Sequence, residues 1–197
     1  NILKIIKFYK KKRLFKLEKN NFKSLLNRIK NTRINNQCNL ENIIFACKIS
    51  KNFKIKNKVI LNAVNNFRGL PHRQEIVFSS KKLICINDSK ATSFDACLQS
   101  LKSHNKIYWI VGGLPKFKDK FDLKNVSNKI VKAYIIGKHV SYFKNKIKKD
   151  VNCVASGNLR QALKNIFNDV KNNLYEKSTI LLSPASASFD QFKDFEE

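Results

Sequence analysis

From about Lys81 to the end of the chain, short apolar runs alternate with stretches whose apolar residues recur every three or four positions. Leu83–Asn87, Ile107–Val111, Ala133–Ile136, Val151–Ala155 and Thr179–Ser183 have strand length and are almost continuously apolar. Strands buried on both faces of a parallel sheet have that pattern. Phe94, Cys97, Leu98 and Leu101 fall at helical spacing between the first two runs. Leu159, Ala162, Leu163, Ile166, Phe167 and Val170 do the same between the last two, after Gly157 and an Asn158 suited to cap a helix. The alternation predicts a doubly wound α/β domain with a mostly parallel sheet.

The front of the chain has a different rhythm. Ile43, Ala46 and Cys47 predict one helix and Ile60, Ala63, Val64 and Phe67 a second, with Asn52–Lys58 as a polar join. Phe22, Leu25, Leu26 and Ile29 fit a further helix, while Ile2–Tyr9 can be read as a strand. Arg68–Arg73, with its Gly and Pro, reads as a linker. A helical part at 1–68 and an α/β part at 69–197 are therefore expected.

Composition changes this picture little. At 43% hydrophobic, 197 residues can bury a real core. The net charge of +26 first suggests nucleic acid. Yet the lysines are scattered along the chain beside abundant Asn, Ile and Phe, and arginine occurs only at positions 13, 28, 33, 68, 73 and 160. Arginine is the residue suited to bidentate phosphate and base contacts. Lys, Asn, Ile and Phe share A/T-rich codons, so nucleotide bias accounts for the charge, and no specific nucleic-acid partner is expected. The five cysteines lie in apolar runs without a C-x-x-C pair, as reduced core thiols of a cytoplasmic protein do. No apolar run approaches the roughly 18 residues needed to span a membrane. Asn1–Arg13 lacks a small-residue cleavage site, so no signal peptide is expected. The absence of methionine makes this an expected piece of a longer protein, cut at the front.

Four strings carry candidate chemistry. Gly69-Leu70-Pro71-His72-Arg73 lies in the linker; His72 is expected to be a linker hydrogen-bonder, and His104 and His139 ordinary surface residues. Asn87-Asp88-Ser89-Lys90-Ala91-Thr92 lies where the first strand ends and a helix begins. There Asp88 can accept from ribose hydroxyls and Lys90 can pair with a carboxylate or phosphate, or both can serve structural ion pairs. Thr92 with Asp95 has the capping-box spacing, and a helix start also attracts anions. Gly112-Gly113-Leu114-Pro115-Lys116 follows the second strand; its glycines either let a ligand approach the backbone or make a plain turn. Leu181–Phe192 is a hydroxyl-rich stretch after the last strand, a candidate anion surface or a polar loop. The chain contains no G-x-x-x-x-G-K-[ST] phosphate loop and no zinc spacing.

In order and spacing these strings resemble the Mur ligases, and among them the members that add D-glutamate. The resemblance runs from about Asn36 to the end of the chain. It implies that 1–68 ends a central ATP-binding domain and that 69–197 forms most of the C-terminal, Rossmann-like, amino-acid-binding domain. It also implies ATP-dependent amide-bond formation through an acyl phosphate, in the cytoplasm, by a monomer. ATP would then be contacted at adenine by Asn42, at the phosphates by Arg73 and at the ribose by Asp88. Lys90, Thr92, Lys116, Ser188, Phe189 and Phe195 would hold D-glutamate. UDP-N-acetylmuramoyl-L-alanine and Mg²⁺ would be bound mainly by the rest of the enzyme, and no residue of this chain is assigned as a catalytic group or metal ligand. Cys38 stands where the family usually has His, and Ser93 where it commonly has Asn. The family normally continues beyond Glu197 with an Arg-Gly and a final aromatic. The alternatives are a basic nucleic-acid-binding module and an inactive gene remnant.

Overall fold

A computed structural model describes residues 23–31, 34, 37–116, 118–173 and 177–194, with the backbone alone at 37 and 38. Ile2–Tyr9, Phe22, Asn36 and Phe195 lie outside the described residues, as does the side chain of Cys38. The chain divides into two compact units: residues 1–35 with 39–67, and 36–38 with 68–197.

The first unit is helical. Helix α1 (Lys23–Leu26), α2 (Gln37–Asn52) and α3 (Asn57–Asn66) surround a core that includes Leu25, Ile29, Ile34, Ile43, Ile44, Cys47, Ile60 and Leu61. Ile29 joins that core from a turn beyond α1 rather than from a helix. Asn31 finishes α3: its Nδ2 donates to Val64 O at 2.9 Å and to Phe67 O at 2.7 Å. Val64 O also accepts from Phe67 N–H at 3.4 Å, so Asn31 reinforces a last turn whose carbonyls run short of regular partners.

The second unit is built on a six-stranded sheet in the order β1-β2-β6-β3-β4-β5. The strands are β1 (Glu75–Ser79), β2 (Leu83–Asn87), β3 (Ile107–Gly112), β4 (Ile130–Ile136), β5 (Cys153–Gly157) and β6 (Ser178–Leu182). All neighbours pair in parallel except β1, which runs antiparallel to β2 along the edge. The expected α/β sheet is therefore observed. The β1 strand was not expected: Ile76, Val77 and Phe78 are exposed on the edge, so no buried stripe marks it. Strand β4 contains its expected span and starts earlier, at Ile130, while β5 is shifted two residues along, to Cys153–Gly157.

Alternation along the strands sorts side chains to two faces. Trp109, Val111, Ala133, Ile135 and Leu181 meet Phe94, Cys97 and Leu101 of α4 (Phe94–Ser103) together with Phe143 and Ile147 of α5 (Val140–Ile147). Tyr108, Ile110, Tyr134, Ile136 and Ile180 meet Ala162 and Ile166 of α6 (Leu159–Lys171) on the other face. With helices on both faces, the sheet is doubly wound. Asn158 caps α6 as expected, accepting from Gln161 N–H at 2.9 Å. The cap of α4 corrects the sequence reading: Ser93, not Thr92, accepts from Ala96 N–H at 3.3 Å.

Candidate functional site

The carboxyl ends of β2, β6 and β3 lie side by side, because β6 pairs with both of its neighbours. Three of the four strings leave the sheet from these ends. Asp88 N–H donates to Leu182 O at 2.8 Å, Gly112 N–H to Pro184 O at 3.0 Å, and Leu114 N–H to Ala187 O at 2.7 Å. Ser186 Oγ adds a bond to Gly112 O at 2.8 Å. The segment after β6 therefore crosses the carboxyl edge of the sheet from β2 toward β3, bonded to the backbone along its way.

Gly113 is crowded by that segment and Gly112 by the end of β4. A Cβ at Gly112 would lie 2.0 Å from Ile136 O, and one at Gly113 would lie 2.4 Å from Ala187 O. The close approach that Gly112 and Gly113 permit is thus made by the chain itself, where a ligand or a plain turn had been expected.

The linker string is fastened to the same edge. His72 Nδ1 lies 2.9 Å from Asn87 Nδ2, Lys90 N–H donates to His72 O at 3.1 Å, and His72 N–H donates to Glu75 Oε2 at 2.9 Å. His72 is a linker hydrogen-bonder, as expected. Arg73 is exposed at the tip, between His72 at φ 63° and Gln74 at φ 51°. Such left-handed backbone in non-glycine residues costs about 1 kcal/mol or more each and persists where its surroundings hold it.

Asp88 lies deeper than its proposed contact with ribose would suggest, being 6% exposed. Its Oδ1 accepts from Gln74 N–H at 3.2 Å. Its Oδ2 accepts from Ser183 Oγ at 3.1 Å and, in a very short bond, from Ser100 Oγ. Ser100 Oγ accepts in turn from Gln74 Nε2, and Gln74 Oε1 lies 3.1 Å from His104 Nε2. His104 is therefore not an ordinary surface residue. Burial, with the charge of Lys129 added, lowers its pKa to about 4, so it is neutral and donates to Gln74. Beneath this network, Ser183 O accepts from Trp109 Nε1 at 2.8 Å and Cys97 Sγ at 3.4 Å, and burial pushes the Cys97 thiol up to about 12. A thiol so raised is a core group and a poor nucleophile.

The remaining expected site residues are distributed as follows. Lys90 and Lys116 are exposed and Thr92 is half-buried. Tyr142 OH donates to Lys116 O at 3.2 Å, which ties that string to α5. Ser188 is half-buried and opens a turn in which its carbonyl accepts from Gln191 and Phe192 N–H, while Phe189 is 61% exposed. Asp190 holds the turn by accepting from Lys138 N–H at 2.8 Å. The start of α4 is already partnered, since Phe94 N–H donates to Asp119 Oδ2 at 3.1 Å. Asn42 lies on α2 in the helical unit and is exposed.

Gln74 and Ser100 were not singled out from the sequence, and Ser183 and Asp190 only as members of the Leu181–Phe192 stretch. Ser100 did carry a signal: it is a polar residue on the inward face that α4 shares with Cys97 and Leu101.

Comparison with known proteins decides the family. The UDP-N-acetylmuramoylalanine--D-glutamate ligase of Rickettsia prowazekii is 37% identical over 159 residues, which is 81% of this chain and 36% of that protein. The same enzyme of Caulobacter vibrioides is 39% identical over 158 residues, covering 80% and 33%. The matched stretch is Mur ligase sequence. The chain spans about a third of the length of these curated relatives. Mur ligases also share its fold. MurF from Acinetobacter baumannii superposes with a TM-score of 0.57 at 10% identity, over 80% of this chain and 36% of that one. MurC from Thermotoga maritima gives 0.56 at 14% identity, over 76% and 35%. No protein-family model matches the chain.

Proposed function

We propose that this chain supplies the amino-acid-binding part of an ATP-dependent, ADP-forming ligase that joins D-glutamate to UDP-N-acetylmuramoyl-L-alanine in peptidoglycan synthesis. One observation carries the reading: the Asp88–Thr92, Gly112–Lys116 and Ser183–Phe189 strings converge on adjoining strand ends β2, β6 and β3. Open α/β sheets bind ligands at such ends. A dicarboxylate needs two cationic or hydroxyl-lined holds at a fixed separation, and these strings offer Lys90, Lys116, Thr92 and Ser188, with Phe189 as an apolar wall.

In this reading the terminal phosphoryl group of ATP passes to the carboxylate of the alanine residue, and ADP leaves. The amine of D-glutamate attacks the resulting acyl carbon and loses a proton. The tetrahedral adduct then expels inorganic phosphate, which departs with the C–O electron pair. The chain contributes orientation: it fixes the amine so that attack is effectively intramolecular. Arg73 meets the nucleotide phosphates and Asn42 the adenine. Among the described residues no group of three His, Cys, Asp or Glu could hold a metal ion; this reading gives the Mg²⁺ that such chemistry uses to the rest of the enzyme. Among the described residues no helix is long and apolar enough to cross a membrane, and the reading has the enzyme act in the cytoplasm as a monomer.

The test is phosphate release by the full-length enzyme with ATP and UDP-N-acetylmuramoyl-L-alanine. Release that depends on D-glutamate is the expected result, with this chain alone inactive. Equal or better use of another amino acid would overturn the substrate assignment.

A further inference from the structure

The Asp88 carboxylate is surrounded by the chain's own donors. Buried polar groups without partners cost about 1–3 kcal/mol, so a carboxylate at this depth is retained where its bonds matter. Its three donors come from three places: Gln74 beside the exposed Arg73, Ser100 on the inner face of α4, and Ser183 at the start of the segment that leads to Ser188. The first and third are irregular chain, and each is strained or threaded through a narrow gap. Gln74 and His72 hold left-handed φ values on either side of Arg73. The segment after Ser183 lies against glycines with no room for a Cβ, and Ala185 within it has φ 59°. Ser100 is 2% exposed and uses its hydroxyl twice, donating to Asp88 and accepting from Gln74.

We propose that Asp88 is a positioning residue, one that joins the arginine loop and the hydroxyl-rich segment through Ser100 so that the two parts of the site are set together. This goes beyond a contact between Asp88 and ribose, although it rests on the reading of Arg73 as a nucleotide contact and Ser188 as an amino-acid contact. His104 completes the device: its Nε2–H on Gln74 Oε1 turns the Gln74 amide so that Nε2 faces Ser100. A protein that used Asp88 only to touch a nucleotide would have no need of Ser100, which is buried.

Ser100→Ala separates the possibilities, because Ser100 is assigned no ligand. In the full-length ligase it is expected to raise the KM for ATP and for D-glutamate together, each about fivefold, as the loss of one hydrogen bond implies. The KM for the UDP sugar is expected to stay unchanged, which general loosening would not allow. Gln74→Leu is the second variant and is expected to act in the same direction. If Ser100→Ala lowers the melting temperature but moves neither KM, Ser100 and Asp88 are merely structural and the inference is wrong. If Asp88→Asn raises the KM for ATP while Ser100→Ala is silent, Asp88 is a direct contact and the inference is again wrong. A second arm needs no substrate: in the unliganded full-length enzyme, Ser100→Ala should speed amide exchange at Gln74 and Leu114 together while the amides of α6 keep their protection. Unchanged exchange at Gln74 would overturn the coupling. Should Lys116→Ala leave the KM for D-glutamate unaltered, the parent reading fails and the exchange arm decides the positioning inference by itself.

Discussion

Two acidic side chains organise opposite regions of the sheet. On the α6 face, Asp169 accepts from Lys132 Nζ at 2.8 Å and from Tyr134 OH at 2.5 Å, with side-chain exposures of 28% for Lys132 and 33% for Asp169. Burial raises its pKa, but the hydrogen bonds from Lys132 and Tyr134 outweigh it and hold the carboxyl below its ordinary value. At the carboxyl edge, Asp88 is almost fully buried and is met by a backbone amide and two hydroxyls. The first carboxylate is a wet clamp between a helix and a strand, both of which would form without it. The second holds irregular chain that no periodic hydrogen bonding would keep in shape. Similar acids therefore carry different weight, because one reinforces regular structure and the other replaces it.

The comparison is tested most severely at the glycines under the edge. Gly112→Ala puts a Cβ 2.0 Å from a β4 carbonyl at a φ of 136°, so a loss of about 3 kcal/mol or more is expected in urea unfolding. A loss below about 1 kcal/mol would show that the edge yields, and the contrast with the α6 face would weaken. Next in size is the pair of carboxylates themselves. Asp88→Ala strands buried donors and should cost about 3 kcal/mol, whereas Asp169→Ala, half-open to water, should cost about 1 kcal/mol. Equal losses would erase the distinction.

Protonation of His104 gives a smaller effect with a defined sign. Its folded pKa of about 4 lies below the ordinary 6.5, so between those values the unfolded chain binds the proton more readily. Its contribution is complete above pH 6.5 and is progressively lost as the pH falls toward 4. His104→Gln should flatten this part of the stability profile; an unchanged slope would remove His104 from the edge network. The smallest stability effect is expected for Lys116→Ala, within about 0.5 kcal/mol, since Lys116 is exposed. The same substitution should raise the KM for D-glutamate in the full-length enzyme by about tenfold or more, with kcat nearly kept. An unaltered KM would remove Lys116 from the binding site.

Much of the sheet was legible before any coordinates. The five parallel strands announce themselves as apolar runs because both of their faces are covered, and α6 by its apolar stripe and its Asn158 cap. The elements that escaped are those with little to bury. Edge strand β1 exposes Ile76, Val77 and Phe78, and α5 inserts only Phe143 and Ile147 fully. At the candidate site, the strings marked where to look but not what each residue does. Ser93 and Thr92 are equally plausible caps on paper, and the choice falls to whichever backbone lies extended at the helix start. Asp88 reads as a free carboxylate until Ser100 and Ser183 are seen beside it, 12 and 95 positions away in the chain.

The sequence by itself determined the residue types and the local elements, because hydrophobic period, caps and turn residues act over a few positions. Tertiary structure alone decided which strings meet. Inserting β6 between β2 and β3 is a choice among non-local strand pairings that no local pattern encodes. That insertion sets Ser183 on Asp88 and Ala187 on Leu114, turning three separate strand ends into one edge.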